Sequence, residues 1–300
     1  NSIEIDLGDK LWNSIQLCKT GWEVKRHKNY LFRSKSMLEL PKPEKSDKNL
    51  LIIKHLFRLT DEEYKLVVGW LLGCFMPKGP YPVLILQGEQ GSGKSTLAKL
   101  LRAIIDPSNA PSTSFPTKEQ DLYIQAKNNR VLSYDNQRTL KNSHSDWLCR
   151  LSTGGGYSTR KLYTNNDEME FNYTRPIILN GIYSIVEQSD LSSRSISIHL
   201  SGINDSRMKE SDLWKLFDLA KASMLGEICD GVASIINSDE PKVELGRMAD
   251  FISWVSKAEE TLGWGKNSFQ KAYSENDVPV LIEAANRHRV EVQLTDADLD

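Results

Sequence analysis

The feature that most constrains the fold is a glycine-rich segment that follows an apolar run. Residues 81–87 form that run, and the segment after it reads Gly88-Glu89-Gln90-Gly91-Ser92-Gly93-Lys94-Ser95-Thr96. Glycines at this spacing let backbone N–H groups curl around phosphate oxygens, where a side chain would block them. The apolar periodicity of residues 94–105 predicts a helix whose positive N-terminal end points at the same anion. The sequence therefore predicts a strand, a phosphate-binding loop and a helix, in that order.

The loop fits the pattern G-x-x-x-x-G-K-[ST], the P-loop, which gives its last polar residues a role. Lys94 is expected to reach the β and γ phosphates of ATP, and the Ser95 hydroxyl is expected to bind Mg²⁺. ATP and Mg²⁺ are thus the expected cofactors. The residues predicted to contact the nucleotide are Gly88, Gln90, Gly91, Ser92, Gly93, Lys94, Ser95 and Thr96.

A P-loop also needs a carboxylate at the end of a neighbouring strand to hold the magnesium shell. Residues 130–134 form a short, mostly β-favouring run that leads directly into Asp135. We therefore predict Ser95 and Asp135 as the metal ligands. The alternative is that Asp135 is only a turn residue after a strand.

The order of apolar segments predicts the fold class. From about residue 81 strands and helices alternate, which is typical of an α/β domain with a mainly parallel sheet. Two strand-like runs, 157–163 and 169–173, predict a β-hairpin inserted in that domain. Before the domain, residues 30–33 and 37–40 predict a small hairpin, and Thr60-Asp61-Glu62-Glu63 predicts a helix that begins with a capping box.

Three segments follow from this organisation. Residues 1–60 are predicted to be a small N-terminal α+β accessory segment. Residues 61–205 are predicted to form the P-loop core, and residues 206–300 a helical C-terminal region. Because the chain begins without methionine, we expect it to be a piece of a longer protein.

Composition limits the kinds of partner and environment that the chain can have. No apolar run approaches the roughly 20 residues of a membrane helix, so we expect no membrane contact and a cytoplasmic protein. The formal net charge is −2, so any contact with DNA must be local. The four cysteines show no CxxC spacing, which argues against a zinc or disulfide framework.

Four later motifs complete a recognisable series. Gly154-Gly155-Gly156 precedes a basic hairpin, a strand ends in Asn180, and Arg194 precedes the last strand. With the P-loop and Asp135, this order resembles the superfamily 3 helicases, which are AAA+ ATPases of viruses, phages and plasmids that encircle DNA as hexamers. The resemblance covers about residues 85–200. It is closest to the phage and mobile-element members that are often found with primase modules, which implies the cytoplasm of a bacterium or of an infected host cell.

The resemblance implies an ATP-driven helicase or translocase that acts as a ring hexamer on single-stranded or forked DNA. It also implies a possible fused or separate primase. Asn180 matches the family's sensor asparagine, Arg194 its arginine finger and Arg150 a second phosphate-contacting arginine. Asn136 stands where many related ATPases carry a second acid as the base that activates water. The predicted catalytic residues are Lys94, Asp135, Asn136, Arg150, Asn180 and Arg194.

Simpler structural roles remain open for Asn180 and Arg194. Asparagine favours turns, so Asn180 could be a strand-end cap. Arg194 could be an exposed arginine before an edge strand.

The inserted hairpin carries the predicted DNA contacts. Lys161 matches the family lysine that grips the DNA backbone, although Leu162 stands where some members have histidine. Tyr163 is a candidate for base stacking, and Arg160 is a further basic candidate. Strand alternation puts Lys161 and Tyr163 on one face and Arg160 on the other. The alternative is an ordinary solvated strand face.

Two other functions compete with a helicase. One is an ATP-dependent AAA+ assembly switch that recruits replication or defence factors without unwinding DNA, which the slow hydrolysis expected from Asn136 favours. The other is a small-molecule P-loop kinase. Such a kinase should carry an arginine-rich lid between the last two strands, and no such cluster is present in the sequence.

Overall fold

A computed structural model describes residues 2–26, 33–45, 49–137, 139–160, 168–181, 189–201, 208–241 and 246–276. The strands are β1 Ile3–Asp6, β2 Asn13–Cys18, β3 Gly21–Arg26, β4 Val83–Gln87, β5 Leu132–Tyr134, β6 Tyr157–Arg160, β7 Glu168–Phe171, β8 Ile177–Gly181 and β9 Ser195–His199. The helices are α1 Leu51–Phe57, α2 Asp61–Gly73, α3 Lys94–Ile105, α4 Glu119–Asn128, α5 Asn142–Thr153, α6 Ser189–Ser192, α7 Glu210–Asn237 and α8 Ala249–Ser256. Residues 268–276 are also helical. Within these ranges no helix is both long and apolar enough to cross a membrane.

The centre of the molecule is a four-stranded sheet with the order β5-β8-β4-β9. All three pairings in it are parallel. Its strands read as nearly continuous apolar runs because both faces are covered, as parallel sheets require. The prediction of an α/β domain with a parallel sheet is confirmed.

Strand alternation divides the core between the two faces of this sheet. Leu84 and Leu86 belong to a large apolar cluster with residues of α2, α3, α7 and α8. Val83 and Ile85 belong to a second cluster with residues of α4 and α5. The sheet is therefore the middle layer between two layers of helices, and the segments that join strands to helices lie along its edges.

The N-terminal segment begins with an antiparallel meander of β1, β2 and β3, which precedes the residues of the predicted hairpin. Ile15 and Leu17 on β2 are fully buried, and the Trp22 indole donates a 2.8 Å hydrogen bond to Asp230 of α7. The large cluster includes apolar residues from the meander, the sheet and the C-terminal helices. The division of the chain at residues 60 and 205 stays a prediction.

The predicted strand at residues 37–40 is wrong. Leu38 donates its backbone N–H to Pro107 and Leu40 donates to Leu7, so the segment bonds two different parts of the chain. Met37 forms an isolated bridge with Ser108. Because these partners do not lie on one strand, no ladder can form there. Of the other predicted arm, residues 30–32 lie outside the described ranges.

The capping box predicted at the start of α2 is confirmed. Thr60 Oγ1 accepts from the N–H of Glu63 at 3.1 Å, and the Glu63 carboxylate accepts from the N–H of Thr60 at 2.9 Å. Two of the backbone donors that a helix start leaves unpaired are thereby satisfied. α2 then lies against the sheet, where the Trp70 indole donates to the Pro82 carbonyl just before β4.

Candidate nucleotide-binding site

The loop between β4 and α3 has a backbone that depends on its glycines. Gly88, Gly91 and Gly93 have φ angles of 144°, 82° and 89°, in the region that side chains disfavour. At Gly88 an added Cβ would lie 2.3 Å from the Leu200 carbonyl oxygen, so a side chain there would displace the backbone after β9. The glycines thus allow the loop to fold tightly between two parts of the chain.

Lys94 folds back into this loop. Its Nζ donates to the carbonyls of Gly88 and Glu89 at 2.8 and 2.7 Å, and to Ser92 Oγ at 3.3 Å. Burial lowers the pKa of Lys94, and the nearby Asp135 carboxylate opposes that effect. The loop therefore surrounds an ammonium group at the start of a helix, which is an arrangement that attracts phosphate.

Ser95 and Asp135 meet at the same edge of the sheet. Ser95 Oγ donates to Asp135 Oδ1 at 3.0 Å, and the N–H of Asp135 is held by the Thr113 carbonyl at 2.9 Å. Hydroxyl and carboxylate oxygens are the hard ligands that Mg²⁺ prefers, usually one or two from the protein with waters and phosphates completing the shell. No group of three or more His, Cys, Asp or Glu side chains is placed to hold a metal among the described residues. The donor set therefore fits Mg²⁺ held jointly with a phosphate.

Asn180 lies at the end of β8, opposite Leu86 in the register with β4. Its Oδ1 accepts from the N–H of Asn136 at 2.8 Å, and its carbonyl accepts from Gln137. Because a backbone N–H can only donate, this bond fixes which side of the amide carries the NH₂ group. Within the described chain that buried Nδ2 has no hydrogen-bond partner. Since such a group costs roughly 1–3 kcal/mol, it indicates a donor kept for a ligand.

Both roles foreseen for Asn180 are therefore compatible with its geometry. Its oxygen caps the turn after β5, and its nitrogen is available at the edge where the P-loop lies. Asn136 adopts φ 55°, a left-handed conformation that asparagine tolerates, and its side chain is exposed. The turn thus leaves the Asn136 side chain exposed, while its backbone N–H orients Asn180.

A cavity of about 560 Å³ opens beside the P-loop. One wall comes from the end of α1 and the residue after it, His55, Leu56, Phe57 and Arg58, and another from Met208, Glu210 and Leu213. An added Cβ at Gly93 would lie 3.3 Å from the Phe57 ring, so this wall directly adjoins the loop. A partly apolar cavity next to a phosphate site suits a nucleotide base. Sequence reasoning missed α1, although the apolar run before the capping box could have revealed it.

A larger cavity of about 960 Å³ is lined by the turn between β2 and β3, by α1, α2 and α7, and by residues 261–265. Its walls contain lysine, aspartate and glutamate side chains rather than a glycine loop. We place the nucleotide site at the smaller cavity because the smaller one adjoins Lys94 and Ser95.

Arg194 lies at the opposite edge of the sheet from the P-loop of its own chain. Its carbonyl accepts from the N–H of Val83 at the start of β4, whereas the P-loop follows the end of that strand. Four strand steps separate the two edges by about 13 Å. The Arg194 side chain forms an ion pair with Asp190 and donates to the Asp190 carbonyl at 2.9 Å.

Arg150 lies at that same opposite edge. The end of its helix α5 is fixed to the start of β4, because the Ser152 carbonyl accepts from Tyr81 at 2.8 Å. Arg150 forms an ion pair with Glu119 and packs its aliphatic stem on Gly155, where an added Cβ would lie 2.9 Å from Arg150 Cγ. The structure thus brings Lys94, Ser95, Asp135, Asn136 and Asn180 together and places both arginines elsewhere.

The predicted DNA contacts fall largely outside the described residues. β6 and β7 pair antiparallel, with Arg160 opposite Glu168. Lys161, Tyr163 and the side chain of Arg160 lie outside the described part of the chain. At the base of the pair, Tyr157 stacks on Tyr123 of α4 with ring centroids 5.1 Å apart. This face of β6 is therefore packed against the domain at its start.

The strand–loop–helix unit and the serine–aspartate pair at one edge of a parallel sheet are consistent with a P-loop-like domain. A scan against protein-family models matches residues 49–276 to the family described as actinomycete integrative conjugative element replication protein. The match spans well over half of the chain, and the chain belongs to this family of replication proteins. A search of curated proteins found no significant match.

Two solved structures match this chain when their coordinates are superimposed on it. The C-terminal region of NrS-1, in its apo A form, gives a TM-score of 0.48 at 15% identity, over 83% of this chain and 71% of that chain. The JCV helicase, with a bound small molecule, gives a TM-score of 0.36 at 14% identity, over 77% of this chain and 70% of that chain. With identities and scores this low, the likeness assigns no activity to this protein.

Substitutions at Asp135 and Asn136 distinguish the predicted metal ligand from the residue beside it. We expect Asp135→Asn to weaken Mg²⁺-dependent binding of a slowly hydrolysed ATP analogue by roughly 10- to 100-fold, because a charged oxygen is lost. Asn136→Ala should change that binding little, since its exposed side chain is not a predicted metal ligand. The measurement is a fluorescence titration with and without Mg²⁺. The opposite order of effects would mean that a different acid holds the metal.

Proposed function

We propose that this replication protein is an ATP-hydrolysing DNA helicase or translocase of the superfamily 3, AAA+ type that acts as a ring hexamer. The observation that carries the proposal is the position of Arg194. A single chain holds the phosphate loop at one edge of its sheet and the predicted arginine finger at the other. A complete site for phosphoryl transfer therefore needs a second copy of the chain.

Each residue around the loop has a separate role in ATP hydrolysis. Lys94 and the loop N–H groups bind the phosphates, and Ser95 with Asp135 would hold Mg²⁺. The metal, when bound, neutralises charge on the phosphate oxygens. Asn180 Nδ2 and the Asn136 amide orient the attacking water. Arg194 of the neighbouring subunit stabilises the charge of the transition state, as a guanidinium fork suits phosphate oxygens.

Asn136 makes this a slow enzyme. An amide can orient a water molecule but cannot accept its proton at neutral pH. Phosphoryl transfer relies mainly on positioning and charge stabilisation, so a strong base is not obligatory. We therefore infer that hydrolysis proceeds, and that Asn136→Glu would accelerate it where the turn admits a carboxylate.

DNA would pass along the β6–β7 hairpin. One lysine per subunit, Lys161, becomes a ring of phosphate contacts when six copies surround a strand, which is compatible with the net charge of −2. Single-stranded or forked DNA is the proposed partner, in the replication of a mobile element, and a fused or separate primase is a further proposed partner.

The asparagine at position 136 also favours a second function. Slow hydrolysis suits an ATP-dependent assembly switch that recruits replication or defence factors without unwinding DNA. The two functions differ in one measurement. A helicase shows ATPase stimulation by single-stranded DNA and displaces a labelled strand from a fork, whereas a switch assembles with ATP and does neither.

Lys94→Ala should abolish ATP hydrolysis and weaken nucleotide binding. The change removes the charge that faces the transferring phosphoryl group. Lys99→Ala, on the same helix α3, is the matched control and should hydrolyse ATP at the normal rate. Phosphate release measured at saturating ATP compares them, and near-normal turnover of Lys94→Ala would place the active site elsewhere.

Arg194→Ala should bind ATP but lose roughly 10³-fold or more in turnover, because the finger stabilises charge only in the transition state. A mixture with Lys94→Ala should regain activity, since one subunit supplies the intact P-loop and the other the intact arginine. ATPase assays across mixing ratios, with mixed assembly checked by mass photometry, make the measurement. Mixed rings without regained activity would rule out a shared site.

Lys161→Ala should leave basal ATPase activity intact while reducing DNA affinity and DNA stimulation. Its expected partner is a phosphate, so the loss should be independent of DNA sequence and should lower the salt dependence of binding. Fluorescence anisotropy with single-stranded DNA at several salt concentrations tests this. Unchanged affinity, with a loss in Arg160→Ala instead, would move the contact to the other strand face.

A further inference from the structure

A carboxylate at the sheet edge opposite the P-loop binds two arginines at once. Asp190 Oδ2 pairs with Arg194, and Asp190 Oδ1 pairs with Arg247. Arg247 also donates to Ser193 Oγ at 3.2 Å. Because one carboxylate engages both guanidinium groups, the two cations lie side by side, one from the start of β9 and one from just before α8.

We propose that Arg247 is a further arginine, in addition to Arg150, that each subunit presents beside Arg194 to the nucleotide held by its neighbour. This inference rests on the proposed shared site. It adds a residue from the C-terminal region, where the sequence shows no motif, to the phosphoryl-transfer machinery.

The charge balance of the cluster supports the inference. Among the described residues, two guanidinium groups pair with the one carboxylate of Asp190, which leaves one positive charge for an incoming anion. Hydrogen bonds from Arg194 and then Arg247 hold the pKa of Asp190 well below its usual range. Asp190 therefore stays ionised at neutral pH and keeps both arginines in place.

The exposure of the cluster shows why Arg247 is free to exchange partners. The Arg247 side chain is 53% exposed and that of Asp190 50%, whereas Arg194 is 19% exposed. An exposed ion pair contributes only about 0–1 kcal/mol to stability. Arg247 can thus leave Asp190 for a phosphate at little cost to the fold.

The chemistry of phosphoryl transfer gives a second arginine a use. In the transition state, charge spreads over three equatorial oxygens of the transferred group. One guanidinium fork engages two oxygens at most in a bidentate contact. A neighbouring fork can serve the remaining oxygen or the adjacent phosphate, and Arg247 is the cation that Asp190 holds next to Arg194.

The test compares steady-state ATPase kinetics of Arg247→Ala and Arg247→Lys with the wild-type protein. Arg247→Ala should lower kcat roughly 10- to 100-fold, with a smaller change in KM, because a charge-assisted contact to the transition state is lost. Arg247→Lys keeps the charge, so its kcat should lie between that of Arg247→Ala and that of the wild-type protein. Lys271→Ala, an exposed cation in an ion pair with Glu275, is the matched control and should keep normal kcat.

Subunit mixing separates a role in trans from a structural one. Arg247→Ala mixed with Lys94→Ala should exceed the activity expected from the two proteins measured alone, as the Lys94→Ala subunit supplies both arginines. A kcat within two-fold of wild type overturns the inference. So does a loss that mixing does not restore while the Arg194→Ala mixture is restored. If neither mixture is restored, the shared site itself is absent, and the proposed function fails with it.

Discussion

The parallel pairing of β5, β8, β4 and β9 is the constraint on which the rest of the molecule depends. Parallel strands place all of their carboxyl ends at one edge, and ligands of open α/β sheets bind outside that edge. The P-loop follows β4, Asp135 follows β5 and Asn180 is the penultimate residue of β8, so the parallel sheet brings them to the same edge. The same pairing sends every residue that precedes a strand to the far edge, which is why Arg194 is separated from the loop of its own chain.

Hydrogen bonds then fix the side chains that the sheet has assembled. The bond from Ser95 Oγ to Asp135 Oδ1 ties the start of α3 to the turn after β5, across the intervening strand β8. The bond from the Asn136 N–H to Asn180 Oδ1 ties that turn to β8. Three strand ends are thus joined through side chains, and the pattern leaves one amide NH₂ group of Asn180 buried with no partner within the described residues. Lys94 and Ser95, which here bind groups of the protein itself, would exchange those partners for phosphate and Mg²⁺, while the bond between Asn136 and Asn180 keeps the surrounding turn in place.

Sequence reasoning succeeded where the information is local. A glycine loop needs its glycines at fixed offsets, and a capping box needs Thr60 and Glu63 three residues apart, so both can be read from a short window. It failed at residues 37–40, whose backbone partners, Pro107 and Leu7, are distant in sequence. The meander was also missed, and one of its strands, β3, has no fully buried residue, so its sequence carries no apolar run that would mark a buried strand.

The contribution of the flanking segments was harder still to foresee. The wall of the nucleotide cavity formed by His55 and Phe57, and the pairing of Arg247 with Asp190, exist only because separate parts of the chain meet in three dimensions. Motif order predicted that Arg194 matters, but it gave no indication of the carboxylate beside it.

The contact of Gly88 with Leu200 has a mechanical consequence. Leu200 directly follows β9 and donates its N–H to Gln87, at the entrance of the loop that we propose binds the phosphates. Arg194 directly precedes the same strand. β9 pairs with β4 along its whole length, so it links the proposed phosphate loop at one end to the proposed arginine finger at the other. In a closed ring, a displacement of the loop at one interface would be passed on as a displacement of the arginine at the adjacent interface.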